Sequence, residues 1–199
     1  MMVTFVMIMA LCYLLGSVPN GLFWGKLLWH TDLRKHGSHN IGATNAWRTL
    51  GKGPGVFIFL MDFLKGYLSV RLAMVLVGTP LSMVLAGILA IVGHSCSIFM
   101  GFKGGKGVAT GLGVIAMLMP EPTWIVFLVW LIIVYLTRYV SLGSIVAAAL
   151  IPILAWLFSY PSEFILFGLL AAVFIIIRHR SNIERLRNGT ENKIRAGHR

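Results

Sequence analysis

Seven apolar runs separated by short polar stretches dominate this chain, and that alternation constrains the fold more than any single residue does. The runs cover roughly 2–28, 54–78, 81–100, 107–119, 123–137, 142–160 and 162–178. A helix that spans a bilayer needs about 20 predominantly apolar residues. Two of the runs, 107–119 and 123–137, are shorter than that. Reading 111–137 as one long helix would set Pro120-Glu121-Pro122 near mid-membrane, where two prolines and a charge are costly. A turn there is the cheaper solution. The expected fold is therefore an all-α integral membrane protein, a polytopic bundle of about seven transmembrane helices forming a single membrane-embedded domain over 1–199. Charge content agrees, since 12% of the residues are charged against about 25% in soluble domains. No Lys or Arg precedes the first run and no small-x-small cleavage site follows it, so it reads as a retained helix and not as a signal peptide.

The net charge of +11 raises the question of nucleic-acid binding, and the positions of the charges answer it. Apart from Lys65 and Arg71, every Lys and Arg lies in or beside a polar stretch, and no RNA-reading aromatic motif or long basic arm accompanies them. One face receives 30–52, 101–106, 137–141 and the tail from Arg178. The other receives 78–80, 120–122 and 159–163, without a Lys or Arg. The positive-inside rule makes the first face cytoplasmic, with the N-terminus outside and the C-terminus inside. Trp124, Trp156, Tyr160 and Phe164 near the opposite ends fit an interfacial aromatic belt. Cys12 and Cys96 sit in apolar segments as small hydrophobes.

Asp62 and Lys65 lie inside the second run. A lone charge near the bilayer centre costs about 2.5–3.5 kcal/mol on insertion scales. Spaced i, i+3, the two can pair on one helix face and offset part of that cost. A structural ion pair is the plain reading, and a direct catalytic role for Asp62 is the alternative.

The outer loops offer almost nothing to bind with, whereas the inner ones are rich in Ser, Asn, Gly, His, Lys and Arg. A site at the cytoplasmic membrane surface follows. The first inner stretch, LRKHGSHNIGATNAWRTLGKGPG, offers Ser38, Asn40, Thr44, Asn45 and Arg48, and Arg48 can grip a phosphate with a bidentate fork. A basic loop held by anionic headgroups is the alternative. In GHSCSIFMGFKGGKGVATG, Lys103, Gly104, Gly105 and Lys106 precede an apolar helix. Backbone N–H groups at a helix start, together with an ammonium, form an anion cradle. The spacing is not that of a Walker A loop, and a flexible turn that lets helices pack closely is the competing reading. TRYVSLGS places Ser141 and Ser144 at a helix junction, with Ser144 serving as ligand contact or N-cap. In RHRSNIERLRNGTENK, a helix continuing past Arg178 would set His179 and Asn182 on one face. His can orient or accept a proton near neutral pH, and Asn can donate to a developing oxyanion.

No inner loop carries a pair of carboxylates, so metal-dependent phosphoryl transfer is poorly supported, and no metal or cofactor is expected. The H-x-x-x-x-D acyltransferase motif is missing. A transporter of phosphate esters is the main rival reading, weakened because alternating access needs polar groups leading to both faces. A lipid-binding scaffold is a further one.

The strings GSVPNG, GSHNIGATNAWR, DFLKG, GHSCSIFMGFKGGKGVATG, RYVSLGSI and RHRSNIERLRNGTENK, in that order, resemble the bacterial acyl-phosphate:glycerol-3-phosphate acyltransferases, the PlsY family, over essentially the whole chain. The resemblance implies a multi-pass protein of the bacterial cytoplasmic (inner) membrane. It implies transfer of a fatty acyl group from acyl phosphate to the sn-1 hydroxyl of glycerol 3-phosphate, giving lysophosphatidic acid. The family's phosphate-binding loop falls on 103–107, its first motif on Ser38 and Arg48, its third on His179 and Asn182, and its inter-helix serine on Ser144. The expected partners are glycerol 3-phosphate, acyl phosphate and membrane lipids. Acyl phosphate is already activated, so no covalent enzyme intermediate is required. Lys106, His179 and Asn182 are the expected catalytic residues, acting by positioning and electrostatics.

Overall fold

The computed structural model describes residues 2–194, so 195–199 of the basic tail fall outside the description. Among the described residues there are ten α-helices and no strand. They are α1 (Met2–Ser17), α2 (Asn20–Trp29), α3 (Ala43–Leu50), α4 (Lys52–Leu76), α5 (Pro80–Ser95), α6 (Val108–Leu118), α7 (Pro120–Thr137), α8 (Val140–Leu157), α9 (Ser162–Arg178) and α10 (Arg180–Arg187). They form two compact units, 2–117 and 118–194.

All seven apolar runs are helical, but the first is broken. The helix expected over 2–28 is instead α1 and α2, bent by 47°. Pro19 has no N–H and crowds the preceding turn, so the helix stops at Ser17. The break leaves carbonyls without intrahelical partners, which in an apolar medium must be satisfied by other groups. Ser97 Oγ donates to Ser17 O at 2.6 Å and Lys65 Nζ to Val18 O at 2.8 Å. The expected turn at 120–122 is also displaced. Pro120 occupies the first turn of α7, where a missing N–H costs nothing, and Met119 alone separates α6 from α7. Thr79 and Ser82 form a reciprocal capping box that starts α5 at Pro80.

In the first unit α1 packs on α5 and α4, and α3 packs on α4. Small residues set the approach. A Cβ on Gly16 would collide with the Ala90 backbone, one on Gly66 with Thr110 O, and one on Gly113 with Phe63 O. Close backbone contact of this kind is how helices associate when lipid supplies no hydrophobic drive between them. In the second unit α8 packs between α7 and α9, and α10 touches α8 and α9.

Helices α7 and α8 are each long and apolar enough to cross a bilayer, and the pairs α1–α2 and α9–α10 are so as bent pairs. Much of the apolar surface is outward. Tyr135 is 84% exposed, Leu136 72%, Trp124 68% and Trp156 67%, far more than a soluble surface carries. Phe164, expected in the aromatic belt, is buried instead, its ring beside that of Tyr160. Asp62 and Lys65 form the expected buried ion pair, at 3.0 Å.

Candidate active site

The first inner stretch is organised by one side chain. Asn45, on α3, is buried. Its amide nitrogen lies 3.0 Å from Leu33 O, 3.0 Å from His36 O and 2.8 Å from Asn40 O, and its Oδ1 accepts from Ser38 N–H at 2.9 Å. The amide thereby holds the 33–40 loop together. Asn40 Oδ1 accepts from Gly42 N–H at 2.8 Å, closing the turn into α3. Ser38 is exposed on the rim of this loop, while Thr44 and Arg48 are half-buried on α3. Asp32 caps the short 3-10 turn Leu33–Lys35. The Arg34 guanidinium, bonded to Asp32 at 2.9 and 2.6 Å, holds its carboxyl well below the usual carboxylate range.

Between α5 and α6 the chain makes a tight excursion. Gly101 (φ 60°) and Phe102 (φ 61°) adopt left-handed backbone, Phe102 N–H donates to Ser97 O at 2.8 Å, and Ser97 bridges to Lys103. Lys103 is exposed and Lys106 half-buried. Gly105 N–H donates to His94 O at 3.1 Å. A Cβ on Gly104 would strike the His94 and Ser95 backbone, and one on Gly105 would strike the His94 ring. These two glycines are required by packing in the first instance. That same packing fixes the backbone just before α6, where an anion would meet it.

In the second unit the polar cluster converges on a residue to which the sequence reading assigned no role. Glu191 is buried. Its Oε1 accepts from Asn182 Nδ2 at 2.7 Å and from Ser141 Oγ at 2.8 Å, and its Oε2 from Arg185 Nε at 2.7 Å. Asn182 and Ser141 are thus brought together on one carboxylate. Ser144 is no N-cap, since α8 begins at Val140. Its hydroxyl donates back to Val140 O at 2.8 Å and accepts from Trp130 Nε1 at 3.3 Å. The helix also fails to continue straight past Arg178, because α9 and α10 meet at 60° around His179. His179 and Asn182 are nevertheless both buried. His179 Nδ1 lies 2.8 Å from Ile175 O. A carbonyl only accepts, so in neutral His179 the proton sits on Nδ1 and Nε2 is the acceptor nitrogen.

Burial alone would raise the Glu191 carboxyl, but the bonds from Asn182, Ser141 and Arg185 together outweigh it and lower the value below the ordinary 4.5. A carboxyl held lower in the folded chain stabilises the fold fully above its unfolded value and loses that contribution as pH falls through its folded one. The melting temperature in detergent is expected to drop as pH is lowered from about 5 to below 4. Glu191→Gln is expected to flatten that dependence and cost about 2 kcal/mol at neutral pH, the scale of a hydrogen bond to a charged group. An unchanged acid profile in Glu191→Gln would show that other carboxyls carry it.

These clusters can now be set beside known proteins. The family model described as "Glycerol-3-phosphate acyltransferase" matches residues 6–189. The chain belongs to the glycerol-3-phosphate acyltransferase family. It is therefore an acyltransferase and, with its apolar helices, a multi-pass membrane protein. The glycerol-3-phosphate acyltransferase of Syntrophomonas wolfei is 48% identical over 187 residues, covering 94% of this chain and 95% of that one. That of Carboxydothermus hydrogenoformans is 47% identical over 184 residues, covering 92% and 93%. Among solved structures, the glycerol 3-phosphate form of PlsY, an integral membrane glycerol 3-phosphate acyltransferase, has a TM-score of 0.90 at 40% identity, covering 95% of this chain and 94% of that one. Its lysophosphatidic acid form has a TM-score of 0.87 at 38% identity, covering 96% of each.

Glu191, Arg185 and His94 join these clusters without having been expected there. Glu191 follows Asn188-Gly189, a turn signal, and Gly189 takes φ 68° to bring the chain back on α10. That signal was present. Nothing in the sequence around His94 marks its contact with Gly105, which exists only because α5 ends beneath the glycine-lysine loop.

Proposed function

We propose that this chain transfers a fatty acyl group from acyl phosphate to the sn-1 hydroxyl of glycerol 3-phosphate, releasing inorganic phosphate and lysophosphatidic acid, at the cytoplasmic surface of a bacterial inner membrane. The hydroxyl oxygen forms the new ester bond to the acyl carbon while the acyl–phosphate bond breaks, and the hydroxyl proton leaves with a phosphate oxygen or through His179. The observation that carries this reading is the family match over 6–189 together with PlsY structures in glycerol 3-phosphate and lysophosphatidic acid forms.

The chain 1–199 serves this reaction as a single membrane-embedded acyltransferase domain. Lys106 and Arg48 neutralise substrate phosphates, and the backbone of Gly104 and Gly105 cradles one of them, with Lys103 at the loop's outer edge. Ser38 and Thr44 line the polar rim that Asn40 and Asn45 hold in shape. Ser141 and Ser144 align groups beside Asn182, which with His179 orients the attacking hydroxyl and the carbonyl. The acyl chain stays among the apolar helices while its carbonyl meets water-accessible polar groups. Detergent-solubilised protein offered acyl phosphate, acyl carrier protein thioester and acyl-CoA side by side is expected to make lysophosphatidate from acyl phosphate far faster than from the thioesters. Equal rates from a thioester would remove the donor assignment, and uptake of glycerol 3-phosphate into sealed vesicles without acylation would favour a transporter.

In the membrane, α1 with α2, α4, α5, α6, α7, α8 and α9 supply seven crossings, with the N-terminus outside and the C-terminus cytoplasmic. The basic stretches support that orientation. A thiol introduced at Gly189 is expected to label only from the cytoplasmic side. Labelling from outside would reverse the topology.

A further inference from the structure

The buried polar cluster beneath the glycine-lysine loop has so far been given no part in the reaction. Asp62 is 2% exposed and His94 5%. Asp62 Oδ1 accepts from Asn20 Nδ2 at 3.0 Å and lies 3.0 Å from Lys65 Nζ and 3.6 Å from His94 Nδ1. Lys65 alone would neutralise the carboxylate, and Lys65 is itself anchored on the broken helix at Val18 O. The contact to His94 exceeds what charge balance needs.

His94 in turn meets the loop at two points. Its carbonyl accepts the Gly105 N–H at 3.1 Å, and its Nε2 edge occupies the space that a side chain on Gly105 would need. The Asp62 carboxylate, 3.6 Å from Nδ1, favours the proton on that nitrogen through charge, and the Nε2 edge faces the loop at Gly105. His94 thus meets the loop backbone through both its carbonyl and its ring, one residue from Lys106.

We propose that Asp62 and His94 are positioning residues for acyl transfer: the buried carboxylate orients the His94 ring, and His94 holds the glycine-lysine loop in the shape that receives a substrate phosphate. This rests on the reading of 103–107 as a phosphate site. The sequence pattern D-F-L-K-G on α4 and G-H-S at the end of α5 then belong to one device. The cost of placing two charges within α4 is tied to the reaction as well as to the fold. A displaced backbone cradle weakens ground-state phosphate binding before it alters the chemistry, so the effect falls chiefly on KM.

The experiment uses the full chain in detergent with four variants: Lys106→Ala, His94→Gln, Asp62→Asn, and Asp62→Asn with Lys65→Met, the last avoiding an orphaned buried ammonium. Kinetics with both substrates are read beside amide hydrogen exchange over 101–107, with α8 as reference. His94→Gln and the Asp62/Lys65 double variant are expected to raise KM for a phosphorylated substrate about tenfold or more, with kcat changed less. Exchange is expected to quicken over 101–107 and not over α8. Unchanged KM and unchanged loop exchange in folded His94→Gln protein would overturn the inference. Exchange that quickens equally in α8 for both Asp62 variants would reduce Asp62 to maintenance of the fold and overturn its positioning role. If Lys106→Ala keeps full activity, the phosphate-site reading fails, while loop exchange in His94→Gln still decides whether His94 sets the loop.

Discussion

Replacing Lys106 by Ala is expected to lower kcat/KM for lysophosphatidate formation by about a thousandfold, equivalent to about 4 kcal/mol of transition-state stabilisation. Attack on acyl phosphate pushes charge onto the leaving phosphate, and a fixed cation at a membrane surface acts there in a low effective dielectric. Lys106 stands at the end of a loop whose backbone is held against His94 and Ser95, so its ammonium costs little reorganisation when charge develops. Lys106→Arg keeps the charge but spreads it over a larger fork, and an intermediate loss of about ten- to a hundredfold is expected. Lys103→Ala serves as the comparison, because Lys103 is exposed at the outer edge. Should Lys106→Ala stay within threefold of the unchanged protein, as a headgroup contact would, Lys106 has no catalytic part.

His179→Ala is expected to cost about a hundred- to a thousandfold in kcat, the range of a positioned acid–base or orienting group. The Nδ1 contact to Ile175 O holds the ring, and in the proposed mechanism losing the ring removes the group that orients the attacking hydroxyl. His179→Gln separates the two possible roles. Its amide oxygen can accept a hydrogen bond but holds no proton at neutral pH. Activity within about tenfold of the unchanged protein, with the acidic limb of the rate profile lost, marks orientation. A loss matching that of Ala at every pH marks proton transfer. Melting temperature must be read alongside, because Asn182 beside it is bonded to Glu191 and damage to that cluster lowers rate through the fold. Full activity in His179→Ala would remove the residue from the mechanism.

The sequence was a good guide where a feature repeats or is local. All seven apolar runs are helical, the first as a bent pair, and the Asp62–Lys65 spacing is a buried pair. The reading went astray where a tertiary contact decides. Pro19 ends α1, but the break persists because Ser97 and Lys65 reach the carbonyls it releases. The bonds of Asn45 with Leu33, His36, Ser38 and Asn40, which tie its own loop, could not be read from the string. Ser144 looks like a cap and lies inside α8. The short α3 is not legible in the string, because eight residues give too little periodicity to separate a helix from a polar loop, and α10 is a helix past Arg178 as expected but set at a bend.

By itself, the sequence determined the membrane class, the helical runs and the family, because hydropathy, prolines and ordered motifs are written along the chain. Tertiary structure alone decided which polar groups are committed to one another. Glu191 gathers Asn182, Ser141 and Arg185, and His94 joins Asp62 to the glycine-lysine loop. Such bonds are made between residues far apart in number, and a buried polar group takes whichever partner the packing brings within reach.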